Sequence, residues 1–221
     1  MASHKDLTII FLTVNKVPDG WAKYHREVLE EAIGDTPIIT ISRKPMEWGI
    51  NLIQKEEPSV NNIYKQVLRG TKVAKTPYIA IAEDDVLYHE THFMNRPSNM
   101  DTFTYNSHRW GLHTWGIPTF YWKDRISNAC LIAPRELVVK SLEMRFKLYP
   151  HKQLGELGKE GGTRIPYRNT EHFYSYVGVV YLSHVNAIDH LEQTKRKRMG
   201  AIRAYDIFHW RKAEDIVKKF V

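Results

Sequence analysis

The chain is expected to fold as an α/β protein built on a mostly parallel sheet. Three observations in its first 90 residues carry that expectation. Three short apolar, β-branched runs alternate with two segments of helical periodicity, and strand–helix–strand order brings successive strands side by side in parallel. The first run, residues 7–14, is a continuous apolar and β-branched stretch, as a strand buried on both faces is. Three consecutive acids, Glu83-Asp84-Asp85, directly follow the third run. In open α/β sheets, ligands bind beyond the carboxyl ends of the strands.

The elements follow in order. After the first strand, Asp19 can cap a helix running to Ile33, with Gly34 at its C-terminal end. Residues 37–42 form a second strand. Ser59 caps a second helix, in which Val60, Ile63, Val67, Thr71 and Ala74 recur at helical spacing. Pro77 punctuates, and residues 78–82 make the third strand. The second half is less regular: strands over 118–122, 128–133 and 177–183, a helix over 135–146, and a Gly-, Lys- and Pro-rich loop over 149–168. Residues 105–115 are both polar and aromatic and do not read as a core strand.

At 221 residues the chain has room for one substantial core, and a single domain over 1–221 is expected. The formal charge is +7 and unevenly spread, for residues 190–221 hold nine Lys/Arg against four Asp/Glu. Such a segment suits a diphosphate, a nucleic-acid backbone or an anionic surface, or is simply a solvated basic face. Cys130, the only cysteine, lies in an apolar run and reads as a core residue, and no internal disulfide is possible. Residues 1–6 lack the apolar stretch of a signal peptide, and no window supplies the roughly 20 apolar residues of a membrane span. A cytoplasmic protein without stable membrane insertion is therefore expected.

Three carboxylates in succession after a buried strand repel one another, and a divalent cation relieves that repulsion. Oxygen ligands suit Mg²⁺ or Mn²⁺, which also bind substrate phosphates. The alternative is an exposed acidic turn or a helix start.

Context favours the metal. The run Tyr78-Ile79-Ala80-Ile81-Ala82-Glu83-Asp84-Asp85-Val86-Leu87-Tyr88 resembles the short acidic motif of GT-A glycosyltransferases. The helix opening Ser59-Val60-Asn61-Asn62-Ile63-Tyr64-Lys65-Gln66, the strand ending Leu12-Thr13-Val14-Asn15 and the strand ending Thr40-Ile41-Ser42-Arg43 resemble the nucleotide-side segments of that superfamily. Four stretches, Ile41-Ser42-Arg43-Lys44-Pro45, the acidic triplet, Arg125-Ile126-Ser127-Asn128 and Arg203-Ala204-Tyr205-Asp206, are similar to small family-2-like members found in bacteriophages and uncultured viruses.

This resemblance implies a GT-A fold, with a Rossmann-like nucleotide-sugar-binding half over about 1–95 and a mixed-sheet acceptor half over about 96–221. It implies a metal-dependent transferase using a nucleotide-sugar donor, UDP ahead of GDP. Asp85 and Asp84 would hold Mn²⁺ or Mg²⁺, joined by His184 at a strand end, with His190 and His209 as alternatives. Thr13, Asn15, Ser42, Arg43, Lys65, Glu83 and Asp84 would line the donor site, and Lys195 and Arg198 would reach the diphosphate or track a nucleic-acid backbone. Glu171, at an expected helix start, would be the general base, or would only complement the helix dipole. His108, Trp110 and Trp115 offer an acceptor platform for a sugar or an exposed base, or pin a surface loop. The acceptor expected is a hydroxymethylated pyrimidine in phage DNA. The alternatives are a glycan or lipid-linked acceptor, or a nucleotide-binding module without catalysis. The loop Thr13-Val14-Asn15-Lys16-Val17-Pro18-Asp19-Gly20 supplies no Gly-rich phosphate cradle and so disfavours nucleotidyl transfer.

Overall fold

A computed structural model describes residues 4–123, 125–160, 165, 168–185 and 200–220. Strand β1 (Leu7–Leu12), helix α1 (Asp19–Ile33), β2 (Ile38–Ser42), β3 (Ile50–Ile53), α2 (Val60–Val73) and β4 (Tyr78–Glu83) form the first half in the expected order. The four-residue β3 is an addition to that reading. Then come β5 (Val86–Leu87), the short α3 (Glu90–Phe93), β6 (Thr102–Asn106), β7 (Arg109–His113) and β8 (Phe120–Trp122). They are followed by β9 (Leu131–Pro134), α4 (Arg135–Leu148), β10 (Asn169–Phe173) and β11 (Val179–Ser183). The chain closes with β12 (Arg203–Ala204), β13 (Asp206–Ile207), β14 (Arg211–Lys212) and α5 (Ala213–Phe220).

The main sheet has the order β10-β6-β9-β4-β1-β2-β3, in which only β9 runs against its neighbours. The fold is thus mixed α/β on a mostly parallel sheet. Strand β1, next to the central β4, has its LTIIFL run buried on both faces between α1 with α3 on one side and α2 with α4 on the other. Loss of that apolar surface from water is the main stabilising term. A second sheet, ordered β12-β8-β7-β11-β5, abuts the carboxyl ends of the first through β5, which directly follows the acidic turn. One face of this sheet packs on Trp21 of α1 and on α5.

Several local expectations change. Pro18, not Asp19, occupies the cap position of α1, and Asp19 sits in the first turn, where its charge favours the helix dipole. Ser59 does cap α2, its hydroxyl accepting from the Asn62 amide. Residues 128–130 form a 3-10 turn ahead of β9 in place of a strand. Residues 105–115 are no surface loop: β6 and most of β7 are buried strands. Residues 169–173 form a strand where a helix start was expected. Asn106 explains how a polar strand can be buried, since its amide nitrogen donates to Ser175 Oγ and bonds the His92 ring.

Candidate active site

The acidic turn is built by the abrupt end of β4. Glu83 pairs with Leu12 at the tip of β1, and the chain then reverses into β5. Four bonds fix the turn's backbone. Tyr88 Oη donates to the Ala129 carbonyl and accepts from Glu83 N at 3.1 Å. Trp21 Nε1 donates to the Asp84 carbonyl at 2.8 Å, Leu182 N donates to the Asp85 carbonyl at 2.8 Å, and His25 Nε2 bonds the Val86 carbonyl at 2.9 Å. The side chains are therefore presented by a rigid frame. Burial pushes the His25 ring down to about 4, so near neutrality it is an uncharged donor to that carbonyl.

The three carboxylates differ in their surroundings. Thr13 Oγ1 donates to Asp84 Oδ2, yet burial still raises the Asp84 carboxyl to about 6. Glu83 is raised by burial and then by the Asp84 charge, against the pull of Arg109, Lys123 and the Tyr181 hydroxyl. Asp85 Oδ2 lies 3.7 Å from His184 Nε2, both side chains nearly buried. Two donors of one ion, each about 2.1 Å from it, span such a separation, and a carboxylate with an imidazole suits a divalent cation. Among the described residues no three His, Cys, Asp or Glu converge on a metal point. Asp85 and His184 would thus suit a divalent ion only if its remaining ligands came from substrate phosphate and water, as Mg²⁺ favours.

Around the turn opens a cleft of about 360 Å³. One end is walled by Thr13, Val14, Gln54, Asn62 and Gln66. Here buried amides form a chain: Asn62 Nδ2 donates to Gln54 Oε1 and Gln66 Nε2 to Asn62 Oδ1, both at 2.9 Å. Gln66 Oε1 is buried and finds no partner among the described residues. The other end is lined by Arg109, Tyr121, Lys123, Arg125 and Tyr181, with the Lys123 ammonium 4.3 Å from the Tyr181 ring centroid.

Of the residues singled out from sequence, Thr13, Glu83, Asp84, Asp85 and His184 meet in this cleft. Asn15, Ser42 and Arg43 do not line it: Asn15, at φ 54°, accepts from the Arg43 and Lys44 amides and ties the tips of β1 and β2 together. Lys65 lies on the solvent face of α2, between buried Tyr64 and Gln66. Glu171 is outside the cleft, on edge strand β10, where Oε1 accepts from Ser98 N at 2.7 Å. His108 and Trp110 line a small cavity with Tyr176 and Phe208. It lies on the far face of the second sheet, because alternation on β7 turns Trp110 away from the side where Arg109 meets the cleft. Trp115 packs edge-on against His113. His209 stands against His89. Lys195, Arg198 and His190 lie outside the described residues.

Trp21 and His25, which brace the turn, and Arg109, Lys123, Tyr181 and Glu156, which line the cleft, carry no local sequence signal that singles them out. Arg109 was legible only as part of an aromatic stretch; strand alternation within it would have separated cleft-facing Arg109 from Trp110.

No family model matches the sequence, and no curated protein does either. Solved structures of similar shape include a glycosyltransferase involved in the glycosylation of the major capsid of PBCV-1, 13% identical over 79% of this chain and 92% of that one, at a TM-score of 0.46. Staphylococcus aureus TarS residues 1–349, in complex with UDP-GlcNAc, is 9% identical over 81% of this chain and 59% of that one, at 0.49. A nucleotidyl transferase from Methanothermobacter is 10% identical over 88% and 97%, at 0.42. These likenesses concern the fold and carry no argument about the reaction.

Proposed function

We propose that this protein is a metal-assisted glycosyltransferase that moves a sugar from a nucleoside diphosphate, UDP ahead of GDP, to a hydroxyl acceptor. The observation that carries this reading is the Asp85–His184 pair in a cleft that continues to the amide chain Gln54–Asn62–Gln66. The amides offer both donors and acceptors, as the edge of a pyrimidine base requires. Asp85 and His184 would hold Mn²⁺ or Mg²⁺, and such an ion supplies positive charge to the departing diphosphate. Thr13 holds Asp84 in place, and Arg109 and Lys123 add fixed positive charge near the reacting end.

For the acceptor, we propose a hydroxymethylated pyrimidine in DNA. The support is electrostatic: a net charge of +7, and Lys16, Arg109, Lys123 and Arg125 along the cleft walls. A base within a duplex would have to be extruded to reach the acidic turn. Screening UDP- and GDP-sugars by thermal shift with and without Mn²⁺ tests the donor reading. Labelled donor offered to hydroxymethylated DNA and, in parallel, to glycans tests the acceptor. No shift with any donor sinks the transferase reading; transfer to glycan alone removes DNA.

A further inference from the structure

With Glu171 outside the cleft, the carboxylate that takes the acceptor's proton must be sought elsewhere. Among the described residues after the acidic turn, Glu156 is the only Asp or Glu that lines the cleft, beside Ser127, Asn128 and Tyr64.

Its backbone is held from several directions. Tyr64 Oη and Arg145 Nη2 both donate to the Gly155 carbonyl at 2.9 Å, Tyr105 Oη donates to the Leu157 carbonyl at 2.7 Å, and Lys159 N donates to the Glu156 carbonyl at 2.9 Å. Gly158, at φ +80°, makes the bend that packs this segment against Thr170 and Phe103. Beneath lies an ion pair between Arg145 and Glu160, 3.1 Å apart with both side chains at most 5% exposed, and the guanidinium sits 4.0 Å from the Tyr64 ring centroid. A buried pair contributes little net stability but fixes one arrangement strongly, since breaking it leaves a charge unpaired. These bonds pin the backbone of half-buried Glu156 at the cleft wall, and among the described residues its carboxylate makes no ion pair.

We infer that Glu156 is the general base of an inverting transfer, a deduction that rests on the transferase reading above. As the acceptor oxygen bonds the anomeric carbon, its proton passes to the Glu156 carboxylate. The bond from that carbon to the diphosphate oxygen breaks, and its electron pair leaves on the phosphate. The Arg145–Glu160 pair, Tyr64 and Tyr105 are positioning residues for this carboxylate.

The test is Glu156→Gln, assayed beside the wild type once a donor and acceptor are in hand. Wild-type turnover itself tests the transferase reading, so failure of that reading is seen separately. The expected result is a fall in kcat of about 10²–10⁴-fold, with the donor- and Mn²⁺-induced thermal shift unchanged, which also shows the variant is folded. The wild-type product should have inverted anomeric configuration by NMR. A fall in kcat smaller than tenfold, a loss confined to KM or donor affinity, or a retained configuration overturns the assignment.

Discussion

Trp21→Phe probes how strictly the acidic turn must be held. The indole donates at 2.8 Å to the Asp84 carbonyl, one residue before the proposed metal ligand, and the ring is fully buried against Phe220 and Tyr24. Phenylalanine keeps an aromatic body but no donor. Leaving a buried carbonyl unpaired costs about 1–3 kcal/mol. Loss of a group that orients a metal ligand from behind costs about 10–100-fold in metal affinity. Both effects should appear together. The assay is a Mn²⁺ titration of the thermal shift at saturating donor, with Leu29→Ala as control. Leu29 is buried on the same helix, and its truncation costs roughly 2–5 kcal/mol without removing a hydrogen bond to the turn. Trp21→Phe should raise the half-saturating Mn²⁺ concentration at least tenfold, and Leu29→Ala should leave it unchanged. Equal effects of the two variants on Mn²⁺, or none from Trp21→Phe, would mean that the indole bond does not orient the metal ligand.

Other expectations follow from buried polar groups and tight packing. Burial lowers His25 to about 4 and His92 to about 3, so the folded state refuses protons that the unfolded chain accepts below about pH 6.5. Stability should hold above that pH and fall as pH drops, by roughly 2 kcal/mol per histidine at pH 5, and urea denaturation at pH 7 and 5 would show it. His25→Gln should flatten part of that slope. Arg145→Met leaves Glu160 charged and buried, costing about 3–5 kcal/mol, whereas adding Glu160→Leu should restore stability relative to the single change, read by denaturant midpoints. A methyl group at Gly111 would come within 2.2 Å of the Tyr121 ring, which crosses it on the neighbouring strand. Gly111→Ala should therefore cost about 1–3 kcal/mol in thermal denaturation and displace a ring of the cleft wall.

The first half was legible because its signals are local. Continuous apolar strands, Ser59 as a cap and a helical period in α2 each need only a few neighbouring residues, and together they place the acidic turn. His184 was reachable as the end of a strand beside that turn. The second half hides its logic in lateral contacts. Residues 105–113 look exposed because Asn106, His108 and Arg109 are polar, yet their partners, Ser175, the Ser175 carbonyl and the Arg125 carbonyl, are distant in sequence. Thr170 ahead of Glu171 suggests a helix cap, but pairing with β6 draws the segment into an edge strand, and its carboxylate goes to the Ser98 amide. The Gly-, Lys- and Pro-rich composition of residues 149–168 suggests mobility, yet Arg145, Tyr64 and Tyr105 hold residues 155–157 from outside that segment.

If Asp85, facing His184, holds a divalent ion, donor binding depends on that ion. The direct measurement is the melting temperature of the wild type and of Asp85→Asn with UDP-sugar, with Mn²⁺ and with both. At about 100 times the dissociation constant, donor with Mn²⁺ should raise the wild-type melting temperature by roughly 5–10 °C. Either alone should do little, and Asp85→Asn should abolish the increment without lowering the unliganded melting temperature. An Asp85→Asn protein that answers donor and Mn²⁺ as the wild type does would show that Asp85 holds no ion needed for donor binding.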